Sequence, residues 1–323
     1  MSVDALGLRQ VLTVSDLQTT AGRRHKETFM KVIFVSAALL SIIISLSIIV
    51  SLAREAWTFL SSLISQGDAS ALWSRGWAPR RGLYDIKTLL VGSLLVTGIA
   101  MVIATPLGLG AAVYLSEYAT PRVRRLLKPI IEVLAGVPSV VLGFFALSVV
   151  NPELVQRVFS GASPFNLLSA GIGVGILTVP LVASISEDAL RAVPNSLREA
   201  SAGVGAHKMA TTVRVVIPAA ASGLVAAMII GVSRALGETM VVAVAAGASG
   251  SSAFTWNPLD QGQTMTAAMA SLATGTDEVK TSAGGGAPLA FQSLFFVGAV
   301  LFVLTFALNL VAERFVGRVR QRY

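Results

Sequence analysis

Six continuous apolar runs limit what this chain is able to become. Each approaches the roughly 20 residues that a helix rising about 1.5 Å per residue needs to cross a hydrocarbon core. They fall at residues 32–52, 89–115, 130–150, 167–185, 219–246 and 294–311. The first, containing SIIISLSIIV, is the plainest, whereas GIGVG and Pro180 predict a break in the fourth. The runs are unbroken and rich in Leu, Ile, Val and Ala, not alternating in segments of about ten residues, so a transmembrane β-barrel is excluded. Apolar residues make up 54% of the chain, charged residues 13%, and mean hydropathy is +0.74. The expectation is an all-α integral membrane protein with six transmembrane helices. A polar stretch of some thirty residues precedes a first run too long for a signal-peptide core, which predicts that the first helix is retained.

Lys and Arg distribute unevenly around these runs. With the N-terminus in the cytoplasm, the inner side receives Arg9, Arg23, Arg24, Lys26, Lys31, Arg122, Arg124, Arg125, Lys128, Arg191, Arg198, Lys208, Arg214, Arg314, Arg318, Arg320 and Arg322. The outer side receives Arg54, Arg75, Arg80, Arg81, Lys87, Arg157 and Lys280. The positive-inside rule therefore predicts that both termini are cytoplasmic, in a plasma membrane or, where two membranes exist, the inner one. The net charge of +8 follows from this topology and from contact with anionic membrane lipids, so nucleic acid is not an expected partner. With no Cys and only His25 and His207, disulfides, thiolate sites and an imidazole zinc cluster are ruled out.

Two outer segments are informative. Residues 53–88 carry Trp57, Trp73 and Trp77, whose rings suit a membrane interface. Residues 247–290, including TMTAAMASLATG and GGG at 284–286, read as a long loop that packs on an outside partner or forms a solvated cap. Within the runs, Gly92, Gly98, Gly108 and Gly110 read as helix-packing positions, and Pro106, Pro138 and Pro180 as kinks. Glu132, one turn after Lys128, is expected to pair with it at the membrane edge.

Arg234 and Glu238 stand in the fifth run, which otherwise lacks charged side chains. On a continuous helix, residues four apart stack on one face, so the pair either neutralises itself or offers its cation to an anion. Ionisable groups at such depth are costly and mark a solute path or a buried structural bond, and the residues alone leave both open. Counted from Pro218 on a straight helix, Arg234 lies about 24 Å along, past the middle of the core, which suits a gate or transient site.

The segment EDALRAVPNSLREASAGVGAHKMATTVRVVIPAA precedes the fifth run. Pro194, Asn195 and Ser196 start a short helix, Leu197, Ala200 and Val204 fall on one face, and Gly203 and Gly205 end it. Glu199 lies in the first turns, where the helix dipole favours an anion. The result is an amphipathic rod suited to a partner's groove. Glu199, Ala200, Ser201, Gly205 and the closing Val215, Ile217 and Pro218 resemble the EAA loop of ABC importer permeases, with Ser201 where a second Ala is usual and Ile217 where Leu commonly precedes Pro. The resemblance implies the type I ABC importer permease fold and a coupling helix, with Leu197, Glu199, Ala200, Ser201 and Gly205 docking on an ATPase subunit.

Within that superfamily the chain is similar to phosphate importer permeases of the PstC kind. The likeness rests on TLLVGSLLVTGIAMVIATPLGLGAAVYLSEYA at 88–119, IIEVLAGVPSVVLGFFAL at 130–147 and SRALGETM at 233–240. It spans residues 83–314, and the paired PstA permeases share the same blocks. It implies that Arg234 and Glu238 belong to a phosphate path. It also implies a PstA-like second permease, two PstB-like ATPase subunits and a PstS-like binding protein outside. The layout is then a tail at 1–31, a first helix at 32–52, an outer segment at 53–88, a permease core at 89–313 with its coupling loop at 195–218, and a basic tail at 314–323.

No GxxxxGK[ST] run occurs, so the chain is not expected to be an enzyme; it needs no cofactor, and ATP and Mg belong to the partner ATPase. GIGVG sits inside an apolar run without the strand–helix setting of a dinucleotide site. Other readings of the residues are a permease for another oxyanion such as molybdate or sulfate, a stand-alone secondary transporter or channel, and a scaffold reporting phosphate to a sensor kinase.

Overall fold

The computed structural model describes residues 21–67, 69–73, 76–247, 251–274 and 287–320. Arg9, Arg75, Lys280, Arg322 and the GGG at 284–286 lie outside them, and of Arg23, Arg24, Arg318 and Arg320 only the helical backbone is described. The chain divides into two units, Met1–Ser51 and Leu52–Tyr323. Helix α1, Ala21–Ser65, exposes every side chain from 26 to 51, as befits an apolar helix whose solvent is lipid.

In the second unit, Phe59 and Leu63 from the end of α1 enter a core with Trp77, Tyr84, Leu89, Met265, Leu272 and Val297. Burying a ring such as Phe59 is worth about 1.5–3 kcal/mol. A two-residue antiparallel pair, β1 (Trp77–Ala78) and β2 (Leu83–Tyr84), holds this segment, and Trp77 also bridges to Ser252. Trp77 is therefore not an interfacial anchor: it is 1% exposed and meets Tyr84 edge-on, while Trp57 and Trp73 remain exposed. Asp85 begins α2 (Ile86–Tyr118), accepting hydrogen bonds from Lys87 N at 3.3 Å, Thr88 Oγ1 at 2.8 Å and Gly76 N at 3.2 Å.

Helix α2 packs along α5 (Leu167–Arg191), and their contact forms the core of this unit, joined by Leu142, Ala146, Val241 and Ala245 from neighbouring segments. The expected break in the fourth run does not occur. The GIGVG glycines make room for neighbours instead: a Cβ at Gly171 would come within 2.7 Å of Ile99, and one at Gly173 within 2.9 Å of Ala146 and Val241. The helix continues without a break past Pro180 to Arg191. Of the four glycines of the second run, Gly92 and Gly108 do meet close neighbours, whereas Gly98 and Gly110 face open space.

The third run also divides differently. An amphipathic helix α3, Pro121–Ala135, ends at Gly136, and Pro138 caps a separate apolar helix α4, Ser139–Val158. Pro138 thus separates two helices; it does not kink one. After α6 (Asn195–Gly203), helices α7 (Lys208–Ala219) and α8 (Ala221–Leu236) meet at a 71° bend. Residues 247–290 are not a plain loop: α10, Met265–Thr274, is buried between α2 and α11 (Ala287–Arg320) because its small and apolar side chains fit there. Among the described residues, five helices are long and apolar enough to cross a membrane, or six if α7 and α8 form one span.

Candidate solute path and coupling surface

The fifth run is interrupted at its two charges. Helix α8 ends at Leu236, with Gly237 N donating to Ser233 O at 3.2 Å. Gly inside a helix is about 1 kcal/mol worse than Ala, which favours an end here. Glu238 Oε1 then accepts from Met240 N at 3.2 Å and Val241 N at 3.3 Å, satisfying amides at the start of α9 (Met240–Val242). Arg234 and Glu238 therefore do not stack as on one continuous helix, and they form no ion pair. Among the described residues Arg234 is exposed and without an ion partner, while Glu238 is buried. The last-turn position of Arg234 suits the negative end of the α8 dipole, worth about 0.3–1 kcal/mol. The break is held from two sides, by Thr266 Oγ1 donating to Glu238 O at 2.7 Å and by Ser233 Oγ donating to Asn309 Oδ1 at 3.1 Å.

The short amphipathic rod forms where the spacing placed it. Helix α6 exposes Leu197, Glu199, Ala200 and Val204, the last at 85%. Gly205 takes φ +80°, a left-handed conformation that favours Gly, and closes the turn after it. Ser201 turns inward, and its hydroxyl lies 2.9 Å from that of Thr211 on α7. The hydroxyl at this usual-Ala position thus has a partner that fastens α6 to α7.

Ion pairs that sequence reasoning missed join the C-terminal ends of α2 and α5 to α6 and α3. Arg198 reaches from α6 to Glu117 at the end of α2, with Nη2 2.8 Å from Oε1 and Nε 3.3 Å from Oε2. Fully buried Glu187 accepts Arg124 Nε at 2.6 Å and pairs with Lys128 at 3.3 Å, and Lys128 also reaches Asp188 at 3.3 Å. Lys128 is thus bound to α5, and the expected partner Glu132 is exposed. Burial pulls the Lys128 ammonium down, but the hydrogen bond and charge of Glu187, with those of Asp188, outweigh it and hold it above the usual lysine range. These partners lie 59 to 81 residues apart, so no local pattern marks them. The available signal was the acidic residues at the C-terminal ends of apolar runs, in YLSEYA and EDALR, beside a surplus of Arg and Lys.

An α-helical membrane bundle with an interrupted charged span and an exposed short helix beside it has the architecture of a type I ABC importer permease. The chain belongs to the family described as binding-protein-dependent transport system inner membrane component, whose pattern matches residues 104–323. The probable ABC transporter permease protein YqgH of Bacillus subtilis is 33% identical over 245 residues, covering 74% of this chain and 78% of that protein. The phosphate transport system permease protein PstC of Mesorhizobium japonicum is 31% identical over 305 residues, covering 89% of each. PstC of Xylella fastidiosa strain 9a5c is 29% identical over 339 residues, covering 98% of this chain and 99% of that one. A chain of the inward-facing MetNI methionine ABC transporter shares the fold, with a TM-score of 0.51 at 20% identity, over 72% of this chain and 94% of its own.

Proposed function

We propose that this chain is the membrane-spanning subunit of an ATP-driven phosphate importer, forming the phosphate path and coupling it to an ATPase. The observation that carries the substrate is Arg234, a cation at the end of α8 that is exposed and has no ion partner among the described residues, on the SRALGETM run that resembles phosphate permeases. The PstC names of its relatives support the same solute. A guanidinium keeps its charge at any physiological pH and presents a planar fork that matches phosphate oxygens. Glu238 lies on the same path: its carboxylate repels a dianion and favours release, while one of its oxygens fixes the helix break.

On this reading α6 enters a groove of the ATPase through Leu197, Glu199, Ala200 and Val204, with Ser201 and Gly205 setting its pose. ATP and Mg are held by that ATPase, PstB-like and present in two copies. A PstA-like permease completes the pore, and a PstS-like binding protein delivers phosphate outside. Both termini, with tails at 1–31 and 314–323, face the cytoplasm from the plasma membrane.

The test is ATP-driven uptake of labelled phosphate into vesicles holding the whole complex, wild type against Arg234→Gln. The expected result is at least about a tenfold loss of uptake in a complex that still assembles and hydrolyses ATP. Unchanged uptake would remove Arg234 from the path. Wild-type vesicles that moved molybdate or sulfate but not phosphate would replace the substrate and leave the coupling scheme standing.

A further inference from the structure

We propose that Arg198 is the positioning residue through which movement of α6 reaches the solute path. This rests on α6 being the helix that docks on the ATPase. Besides the pair with Glu117, Arg198 Nη1 donates to Val193 O at 2.6 Å and Asn195 Oδ1 at 3.3 Å, and Nη2 to Leu190 O at 2.9 Å. A guanidinium carries five N–H donors in a fixed plane. All five are used.

The groups joined belong to three elements, of which α5 and α6 are consecutive and α2 lies 81 residues away by way of Glu117. Glu117 is in the last turn of α2, Leu190 lies in the last turn of α5 with Val193 just beyond it, and Arg198 itself stands in α6. Leu190 O, which also accepts Val193 N at 3.3 Å, and Val193 O just past the helix both take donors from this one side chain, so α6 is fastened to the end of α5. The α6 face turned outward is free for a partner, whereas the inward fork allows α6 little motion that does not drag α2 and α5. Those two helices in turn grip α8: a Cβ at Gly231 would meet Val182 of α5 at 3.0 Å and Met101 of α2 at 3.4 Å, and Thr105 Oγ1 lies 3.4 Å from Met228 Sδ. Arg234 follows Gly231 by one turn. The joint thus links the docking helix to the cation of the path through packed elements.

A lysine has a point charge and three rotatable donors, so Arg198→Lys keeps the charge and loses the fork. The experiment compares wild type, Arg198→Lys, Glu117→Gln and the double variant as complete complexes in vesicles. It reads assembly, ATP hydrolysis stimulated by the loaded binding protein, and labelled phosphate moved per ATP. The expected result is assembled complexes hydrolysing ATP within about twofold of wild type, with phosphate per ATP down about tenfold in each single variant and no further in the double. An unchanged ratio in assembled variants, or additive losses, overturns the proposal. So does failure of both single variants to assemble, which makes the joint structural. A wild-type complex that moves molybdate or sulfate but no phosphate would sink the phosphate reading instead; the variants would then be judged by that oxyanion moved per ATP, a tenfold loss supporting the joint and an unchanged ratio overturning it.

Discussion

Asp85 shows how much one side chain does at the start of a span. It is fully buried, yet its carboxylate accepts three hydrogen bonds, two of them from the first turn of α2 and one from the backbone of Gly76. Removing it leaves the amides of Lys87 and Gly76 and the hydroxyl of Thr88 short of that acceptor. Asp85→Ala is expected to lower stability by about 0.5–2 kcal/mol, read as a lower melting midpoint of the purified protein, with Asp85→Asn in between. An Asp85→Ala midpoint equal to wild type would mean that the cap is dispensable. Glu238 plays a comparable part for α9, where its side chain accepts from two backbone amides. Its spacing from Arg234 was legible in the sequence, but the end of the helix between them was not. Gly237 and a carboxylate able to turn back onto its own backbone decide that end, and an apolar run does not announce either.

At the scale of elements, the apolar runs gave away the number and order of the spans better than their limits. The Gly-rich fourth run looked broken because glycine weakens an isolated helix, and it is intact because its neighbours occupy the space a side chain would take. Gly173→Leu is accordingly expected to abolish accumulation of folded protein, since the new side chain collides with Ala146 and Val241. Normal expression and uptake in this variant would show that α5 has room to shift. The α3–α4 division was hidden for a different reason: α3 is amphipathic, and its place is fixed by Arg124 and Lys128 meeting Glu187 across 63 and 59 residues. Because the Lys128 pKa is raised on folding, the stability it adds is full below the ordinary lysine value and is lost only as pH climbs through the folded one. This clamp is constant across neutral pH. The short amphipathic rod α6, by contrast, was readable almost residue by residue, because a Pro start, a Gly end and a short apolar face are local signals.

For the whole molecule, the orientation inferred from Lys and Arg is open to direct labelling, since the chain has no Cys of its own. In intact cells lacking the ATPase, an impermeant maleimide is expected to modify Trp256→Cys, and to modify Val204→Cys only after permeabilisation. The opposite pattern would invert the topology. Both positions are exposed, so access depends on the side of the membrane and not on packing. The five-donor joint at Arg198 has a last consequence, for the way such a molecule moves. A linkage with every donor engaged has no spare bond to trade during a gradual slide. It travels as one piece or lets go altogether, so the transporter should behave less like a spring under load than like a latch that clicks between seats, with few molecules caught halfway.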